Sequence, residues 1–110
     1  MTFRDFYKPP FKSDGYFIWS SNDEMALMTT EDNKGSDRLL NRVCDILNDN
    51  ARSNKVPELS YVAPEILMNG KPFLTVRGWG SLIHKASNEE EAAKIQDDFA
   101  LWVITKLQQV

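Results

Sequence analysis

The sequence predicts an α+β domain in which two β-hairpins are each followed by a helix, a ββα-ββα order. Two observations lead to this prediction. Short runs rich in aromatic and β-branched residues flank two turn signals, one at 21–23 and one at Asn69-Gly70, which is the pattern of hairpins. Two longer segments carry apolar residues at helical spacing. The economical packing of these elements is a mostly antiparallel sheet with both helices on one face.

The first predicted hairpin pairs 16–20 with 24–29, and a polar loop at 30–35 follows it. Ser36 is placed to cap the first helix, because its hydroxyl can accept a hydrogen bond from a free backbone N–H group. Cys44 lies in that helix beside the apolar stripe, and we interpret it as a small buried hydrophobe. The stripe itself consists of Leu39, Leu40, Val43, Ile46 and Leu47.

The second predicted hairpin pairs 65–68 with 73–77 around Asn69-Gly70, since both turn residues tolerate the positive φ of a type I′ turn. Pro72 places its position at an edge or outside the hydrogen-bonded ladder, because proline has no N–H to donate. The preceding stretch 59–63 is either a short strand or an extended connection.

A loop at 81–86 leads to the second predicted helix, which runs to about residue 108. Its start is a capping box formed by Ser87 with Glu90 or by Asn88 with Glu91. Apolar residues occupy almost the whole circumference of this helix, so other elements must cover it on all sides.

Residues 1–15 form a predicted extended arm in which four aromatic residues alternate with basic ones. Pro9-Pro10 disfavours a helix there and favours an extended path. The arm either packs its aromatic side chains along the domain edge or docks on another chain. The second helix contains three candidate dimer-contact residues, Phe99, Trp102 and Val103. Either the sheet and the arm cover them, or a second copy of the chain does.

The overall composition limits the classes of protein that fit. The 110 residues form one domain, 1–110, large enough to fold without disulfides or metals. With 13 basic and 16 acidic side chains, the formal charge is −3, which disfavours a dedicated nucleic-acid binder. One cysteine and no apolar run of membrane-spanning length are typical of a soluble intracellular protein.

Several segments resemble small accessory proteins of phages and prophages. The aromatic strand, Asn-containing turn and second short strand at 15–26 share their pattern, as does the Ile-Leu-Asn helix ending at 46–48. The stretches 72–80 and 91–97 are also similar to such proteins. The resemblance implies a small protein made in the bacterial cytoplasm from mobile DNA, and it assigns no chemistry to individual residues.

Patterns for catalysis, metals and cofactors are missing from the sequence. One cysteine and one histidine cannot supply a zinc site, and the segment Gly78-Trp79-Gly80 lacks the spacing and the lysine of phosphate-binding loops. His84 stands without a nucleophile or an orienting carboxylate near it in sequence. We therefore predict no catalytic residue, no metal ligand and no cofactor.

The strongest candidate for binding is the glycine-flanked Trp79 together with Arg77 and His84. Tryptophan and arginine contribute much of the binding energy at interfaces, although Trp79 could instead fold back into the core. The leading hypothesis is a non-enzymatic interaction protein that acts on a partner protein or on itself as a dimer, for example a phage-encoded modulator of a bacterial host protein. The alternative is a small nucleic-acid-binding module using Arg77, Trp79, Lys71 and Lys85. An enzyme would require that the fold bring a carboxylate beside His84.

Overall fold

Within the part of the chain that the structure describes, the protein folds as a six-stranded antiparallel sheet with four helices packed against it, which confirms the predicted α+β class. The computed structural model describes residues 1–29, 36–52 and 58–109, without the side chains of Ser36 and Asp37. The predicted loop at 30–35 and the predicted capping hydroxyl of Ser36 lie outside the described residues.

The described elements follow one another as α1 (Phe3–Phe6), β1 (Lys12–Ser13), β2 (Phe17–Trp19), β3 (Met25–Thr29), α2 (Ser36–Leu47), β4 (Leu59–Val62), β5 (Glu65–Met68), β6 (Lys71–Val76), α3 (Trp79–Lys85) and α4 (Glu89–Leu107). Both predicted hairpins are confirmed, as β2–β3 and β5–β6. Each of them gains a further antiparallel strand, β1 in the first case and β4 in the second. The stretch at 59–63 therefore contains a strand, which ends at Val62.

The strand order β1-β2-β3-β6-β5-β4 joins two three-stranded meanders through their last strands. At this junction Leu27 of β3 lies opposite Val76 of β6 in antiparallel register. A helix follows the first meander, and two helices follow the second. The repeated unit that the sequence pattern predicts is therefore a strand meander followed by helical structure.

The turn between β5 and β6 has the backbone that its residues predict, with a φ of 53° at Asn69 and 80° at Gly70. Pro72 follows in β6, which is an interior strand and not an edge. Pairing between β6 and β3 reaches only to Leu74 opposite Thr29 among the described residues. Pro72 thus lies beyond that ladder, where its missing N–H removes no bond to β3.

Two local predictions are wrong. The N-terminal arm is not wholly extended, because α1 forms one helical turn in which the Thr2 backbone N–H donates to the Asp5 carboxylate at 2.7 Å. Pro9 and Pro10 disfavour a helix at and just before their own positions but leave 3–6 free to form one. The predicted loop at 81–86 belongs largely to α3, which begins directly after Gly78.

The C-terminal helix α4 is the centre of the core, in contact with α1, α2 and α3 and with strand β4. Its N-cap is Asn88, whose side chain accepts from the Glu91 N–H at 2.8 Å, which is one half of a predicted capping box; the Glu91 carboxylate accepts from the Ser87 N–H at 3.4 Å and not from Asn88. The buried residues that the sheet contributes to this core include Ile18, Leu27, Ile66, Leu74 and Val76.

The N-terminal arm packs its aromatic rings against Phe99 and Trp102 of α4. The ring of Tyr7 stacks on Phe99, with centroids 3.9 Å apart and planes 7° from parallel. Phe3 and Phe11 contact both Phe99 and Trp102 at centroid distances of 5.8–6.3 Å. The arm thus helps to bury Phe99 and half-buries Trp102, which fits the alternative in which the sheet and the arm cover these residues, while Leu101 of the same helix is 54% exposed.

Candidate binding groove

A groove of about 840 Å³ opens where β6 ends and α3 begins. Two of the sequence-predicted binding residues, Arg77 and Trp79, line it. We call this surface the Trp79 groove. Its walls come from four separate parts of the chain: Trp19 with 23–25, the turn Ala63-Pro64, the segment 76–81, and Ala93, Gln96 and Asp97 of α4.

Backbone hydrogen bonds fix the segment that carries Arg77 and Trp79. The N–H of Arg77 donates to the carbonyl oxygen of Ala26 at 2.8 Å, and the hydroxyl of Tyr7 donates to the carbonyl oxygen of Arg77 at 2.8 Å. Burial of Tyr7 raises the pKa of this hydroxyl above its usual range, so it remains a protonated donor. The arm therefore also positions the floor of the Trp79 groove.

Gly78 turns the chain from β6 into α3 and admits no side chain. Its φ is 97°, in the left-handed region that other residues rarely adopt. A Cβ placed there would lie 2.8 Å from the carbonyl oxygen of Met25 and 3.0 Å from the ring of Phe6. This close approach sets the direction in which α3 starts and so the position of Trp79.

Trp79 is half-buried, packed against the core on one side and lining the groove on the other. It is therefore neither a fully buried plug nor a free surface ring. Next to it, Gly80 is exposed, and a Cβ built on this residue meets no atom within 4 Å. The space beside the indole is thus open to an incoming group.

The charges of the groove are only partly matched within the chain. Glu24 forms an ion pair with Lys85 at 2.5 Å, and Asp23 forms one with Lys12 at 2.7 Å. Arg77 is exposed, and among the described residues its guanidinium forms no ion pair, nor does the carboxylate of Asp97. The groove therefore offers one unmatched charge of each sign.

Two polar side chains lie at or behind the groove, those of Gln96 and Tyr61. Gln96 is 7% exposed and lines the groove. The hydroxyl of Tyr61 is buried beside Asp97 without a hydrogen bond of ordinary geometry in the described chain. Burial, and then the nearby Asp97 carboxylate, raise the pKa of Tyr61 above its usual range. Buried polar groups without partners are uncommon in folded proteins.

The remaining sequence-predicted binding residues are not brought into this groove. His84 is exposed in the last turn of α3, and none of its interactions with the described chain involves a carboxylate. Lys71 begins β6, roughly 20 Å along the strand from Arg77 at the usual rise per residue. Lys85 is held by Glu24. The basic residues of the nucleic-acid hypothesis therefore do not form one continuous surface.

The three candidate dimer-contact residues differ in exposure. Phe99 and Val103 are fully buried within a single chain, so they have no surface to offer a second copy. Trp102 is half-buried between the arm and the side chains of Arg4 and Lys106. The exposed apolar residue of α4 is Leu101, at 54%. Any contact that uses this helix would therefore involve Leu101 before Phe99 or Val103.

Other reactive groups show no arrangement for chemistry within the described chain. Cys44 is buried, and burial raises the pKa of its thiol. No cluster of three or more metal-ligating side chains occurs among residues 1–29, 36–52 and 58–109. In the same ranges no helix is long and apolar enough to cross a membrane.

Sequence reasoning found Arg77 and Trp79 but missed Gln96, Asp97 and the turn at Ala63-Pro64. These residues lie 13 to 20 positions from Arg77 or Trp79 in sequence, on elements that only the fold brings together. The signal that found Trp79 was local, namely its two flanking glycines. A site built across four segments carries no comparable local pattern.

Comparison with known proteins identifies no relative of this chain. No protein-family model matches the sequence. No curated protein matches it, and no solved structure matches its fold. The geometry and charge of the Trp79 groove therefore carry the functional proposal.

Proposed function

We propose that this protein is a non-enzymatic interaction protein that binds an extended segment of a partner protein in the Trp79 groove. The observation that carries the proposal is the pairing of Trp79 with the unmatched Arg77 along an open, preformed groove. Both residue types dominate the energetics of protein interfaces. The backbone between them is fixed by Tyr7, Ala26 and Gly78, so little order has to be gained on binding.

The polar groups of the groove favour a peptide as the ligand. The side-chain amide of Gln96, a residue that lines the groove, combines a donor and an acceptor, as a peptide group does. Arg77 and Asp97 would each pair with a side chain of opposite charge. Trp79 supplies apolar contact area at low entropic cost.

A nucleic acid fits the same groove less well. Three carboxylates line it, those of Asp23, Glu24 and Asp97, against the single guanidinium of Arg77. Two of these carboxylates, Asp23 and Glu24, are already paired with Lys12 and Lys85, so the groove has no net positive charge to attract phosphate groups. The distance between Lys71 and Arg77 also disfavours a nucleic acid as the ligand.

A catalytic role has little support from the placement of reactive side chains. His84 lies outside the groove, and the Cys44 thiol is buried with a raised pKa. The unmatched charges are those of an arginine and a carboxylate, which suit recognition of a partner. We accordingly propose binding without chemistry.

The resemblance to phage and prophage accessory proteins supplies the proposed setting. In that setting the protein acts in the bacterial cytoplasm, and its partner is a bacterial host protein whose activity it modulates. This part of the proposal rests on sequence likeness at 15–26, 46–48, 72–80 and 91–97 and not on the geometry of the groove.

Gly80 provides a test because it lines the groove and a Cβ placed there has no contact within 4 Å beyond its chain neighbours and its own helix. We expect Gly80→Leu to fold normally and to block the groove, whereas Gly80→Ala changes it little. Bacterial lysate is passed over the wild-type protein and both variants, and captured proteins are quantified by mass spectrometry. The proposal requires at least one protein retained by wild type and Gly80→Ala and lost at least tenfold with Gly80→Leu, a difference of about 1.4 kcal/mol in affinity. Equal recovery by all three variants would contradict it.

A further inference from the structure

The two edges of the sheet differ in how they are protected from pairing with another strand. Strand β1 is two residues long, contains Lys12 and follows Pro9-Pro10. Short strands, lysine and proline are ordinary means of preventing edge-to-edge association. Strand β4 at the other edge is four residues long, Leu-Ser-Tyr-Val, with no charged residue and no proline. Its outer side pairs with no strand among the described residues.

The pairing of β4 with β5 determines which backbone groups of β4 point outward. The N–H of Asn69 donates to the carbonyl oxygen of Glu58 at 2.9 Å, so these two residues form a hydrogen-bonded pair. Pairs of this kind alternate along an antiparallel ladder. With Leu59 opposite Met68, the N–H and C=O groups of Ser60 and Val62 face β5. Those of Leu59 and Tyr61 face the free edge.

We propose that β4 pairs antiparallel with β4 of a second copy of this chain, about a two-fold axis through Ser60. In this register Leu59 of one copy exchanges two backbone hydrogen bonds with Tyr61 of the other, and the symmetry repeats them. Ser60 lies opposite Ser60, and Glu58 lies opposite Val62. No like charges meet across the axis, so the edge is self-complementary.

Exposed apolar side chains on and near β4 favour the proposal that another protein chain covers this edge of the sheet. Val62 is 63% exposed, on the side of the sheet opposite Tyr61. On the helix side, Asp97 of α4 interacts with Tyr61. Leu101 lies one helical turn beyond Asp97 on the same side of α4, with 54% of its surface exposed. In the proposed register the second copy's β4 would cover part of Val62, and Leu101 of each copy would lie on the same side of the joined sheet.

We favour β4 of a second copy over an unrelated strand as the partner of this edge. Isologous pairing is the commonest arrangement of homo-oligomers, and a strand that is its own complement needs no matching sequence elsewhere. The contact is short, and small interfaces form weak or transient complexes. The dimer is therefore expected to dissociate on dilution.

Ser60 gives a test that leaves the core untouched, because its side chain is exposed. Sedimentation velocity over a concentration series into the high micromolar range measures the mass of wild type, Ser60→Lys and Ser60→Glu. Like charges directly opposite each other destabilise a strand pair, whereas opposite charges stabilise it. We expect a wild-type dimer, two monomeric variants, and a restored dimer when the two variants are mixed. Tyr16→Lys, at an exposed position away from β4, is the matched control and remains dimeric.

Three results would overturn this proposal. They are a wild-type protein that is monomeric at every concentration, a dimer that both Ser60 variants retain, and variants whose mixture stays monomeric. None of these results bears on the Trp79 groove, because the Gly80 variants test that surface separately. Melting temperatures compared at low concentration show that the Ser60 variants are folded.

Discussion

The aromatic arm and the Trp79 groove contain similar residues, but the arm is packed against the core whereas the groove is open. In sequence both are aromatic residues beside basic ones, and both are candidates for contacting another chain. In the structure, Phe3, Tyr7 and Phe11 are covered by their packing on Phe99 and Trp102. Trp79 contacts the core with one side only, and its other side lines an open groove. Whether an aromatic residue is core or surface thus depends on what the fold brings against it.

The difference arises from how each backbone is held. The arm is joined to the end of α2 by Asn48, which binds both backbone groups of Phe11. Because of this anchoring, the rings of the arm pack against α4. The groove segment is anchored too, but its glycines leave no side chain that could close over Trp79. The following substitutions test this contrast, from the largest expected effect to the smallest.

Phe99→Ala is expected to lower the free energy of unfolding by about 3–5 kcal/mol, as for buried phenylalanines generally. Phe99 is fully buried and carries the stacked Tyr7 ring, so its loss leaves a cavity under the whole arm. Urea denaturation monitored by far-UV circular dichroism measures the effect. Trp79→Ala is the comparison and should cost less than half as much, because one side of the indole already faces the groove. Equal losses would mean that Trp79 is a core residue and that the contrast is mistaken.

Asn48→Ala is expected to cost about 2 kcal/mol, because it removes two hydrogen bonds of roughly 1 kcal/mol each. The Phe11 N–H donates to the Asn48 side-chain oxygen at 2.6 Å, and the side-chain nitrogen donates to the Phe11 carbonyl oxygen at 2.7 Å. Hydrogen exchange should therefore speed up at Phe11 more than at β6. Asn41→Ala, on the exposed face of α2, is the matched control. Exchange that rises uniformly in the Asn48 variant would show that the arm has no local stability of its own.

The Asn48 contact also shows what could be predicted from the sequence and what could not. The hairpins and the two long helices follow from local signals such as Asn69-Gly70 and the period of apolar residues. The helix ending at Ile46-Leu47-Asn48 is visible as a pattern, but its role depends on Phe11, 37 residues away. Helices α1 and α3 were missed because each is short and lies beside proline or glycine. The groove was found only through Trp79 and Arg77, since Gln96 and Asp97 join it through tertiary packing.

Gly78→Ala and Gly80→Ala form the pair with the smallest expected effects, and they have opposite signs. Gly78→Ala should destabilise by at least about 1–2 kcal/mol, the cost of a left-handed residue with a Cβ, because its Cβ also meets the Met25 carbonyl oxygen at 2.8 Å. Gly80→Ala should stabilise by up to about 0.5–1 kcal/mol, since alanine favours a helix over glycine and its Cβ meets open space. Thermal denaturation of both variants measures the difference. If Gly80→Ala were instead as harmful as Gly78→Ala, a side chain would already fill the space beside Trp79, and the groove would be closed in solution like the surface beneath the arm.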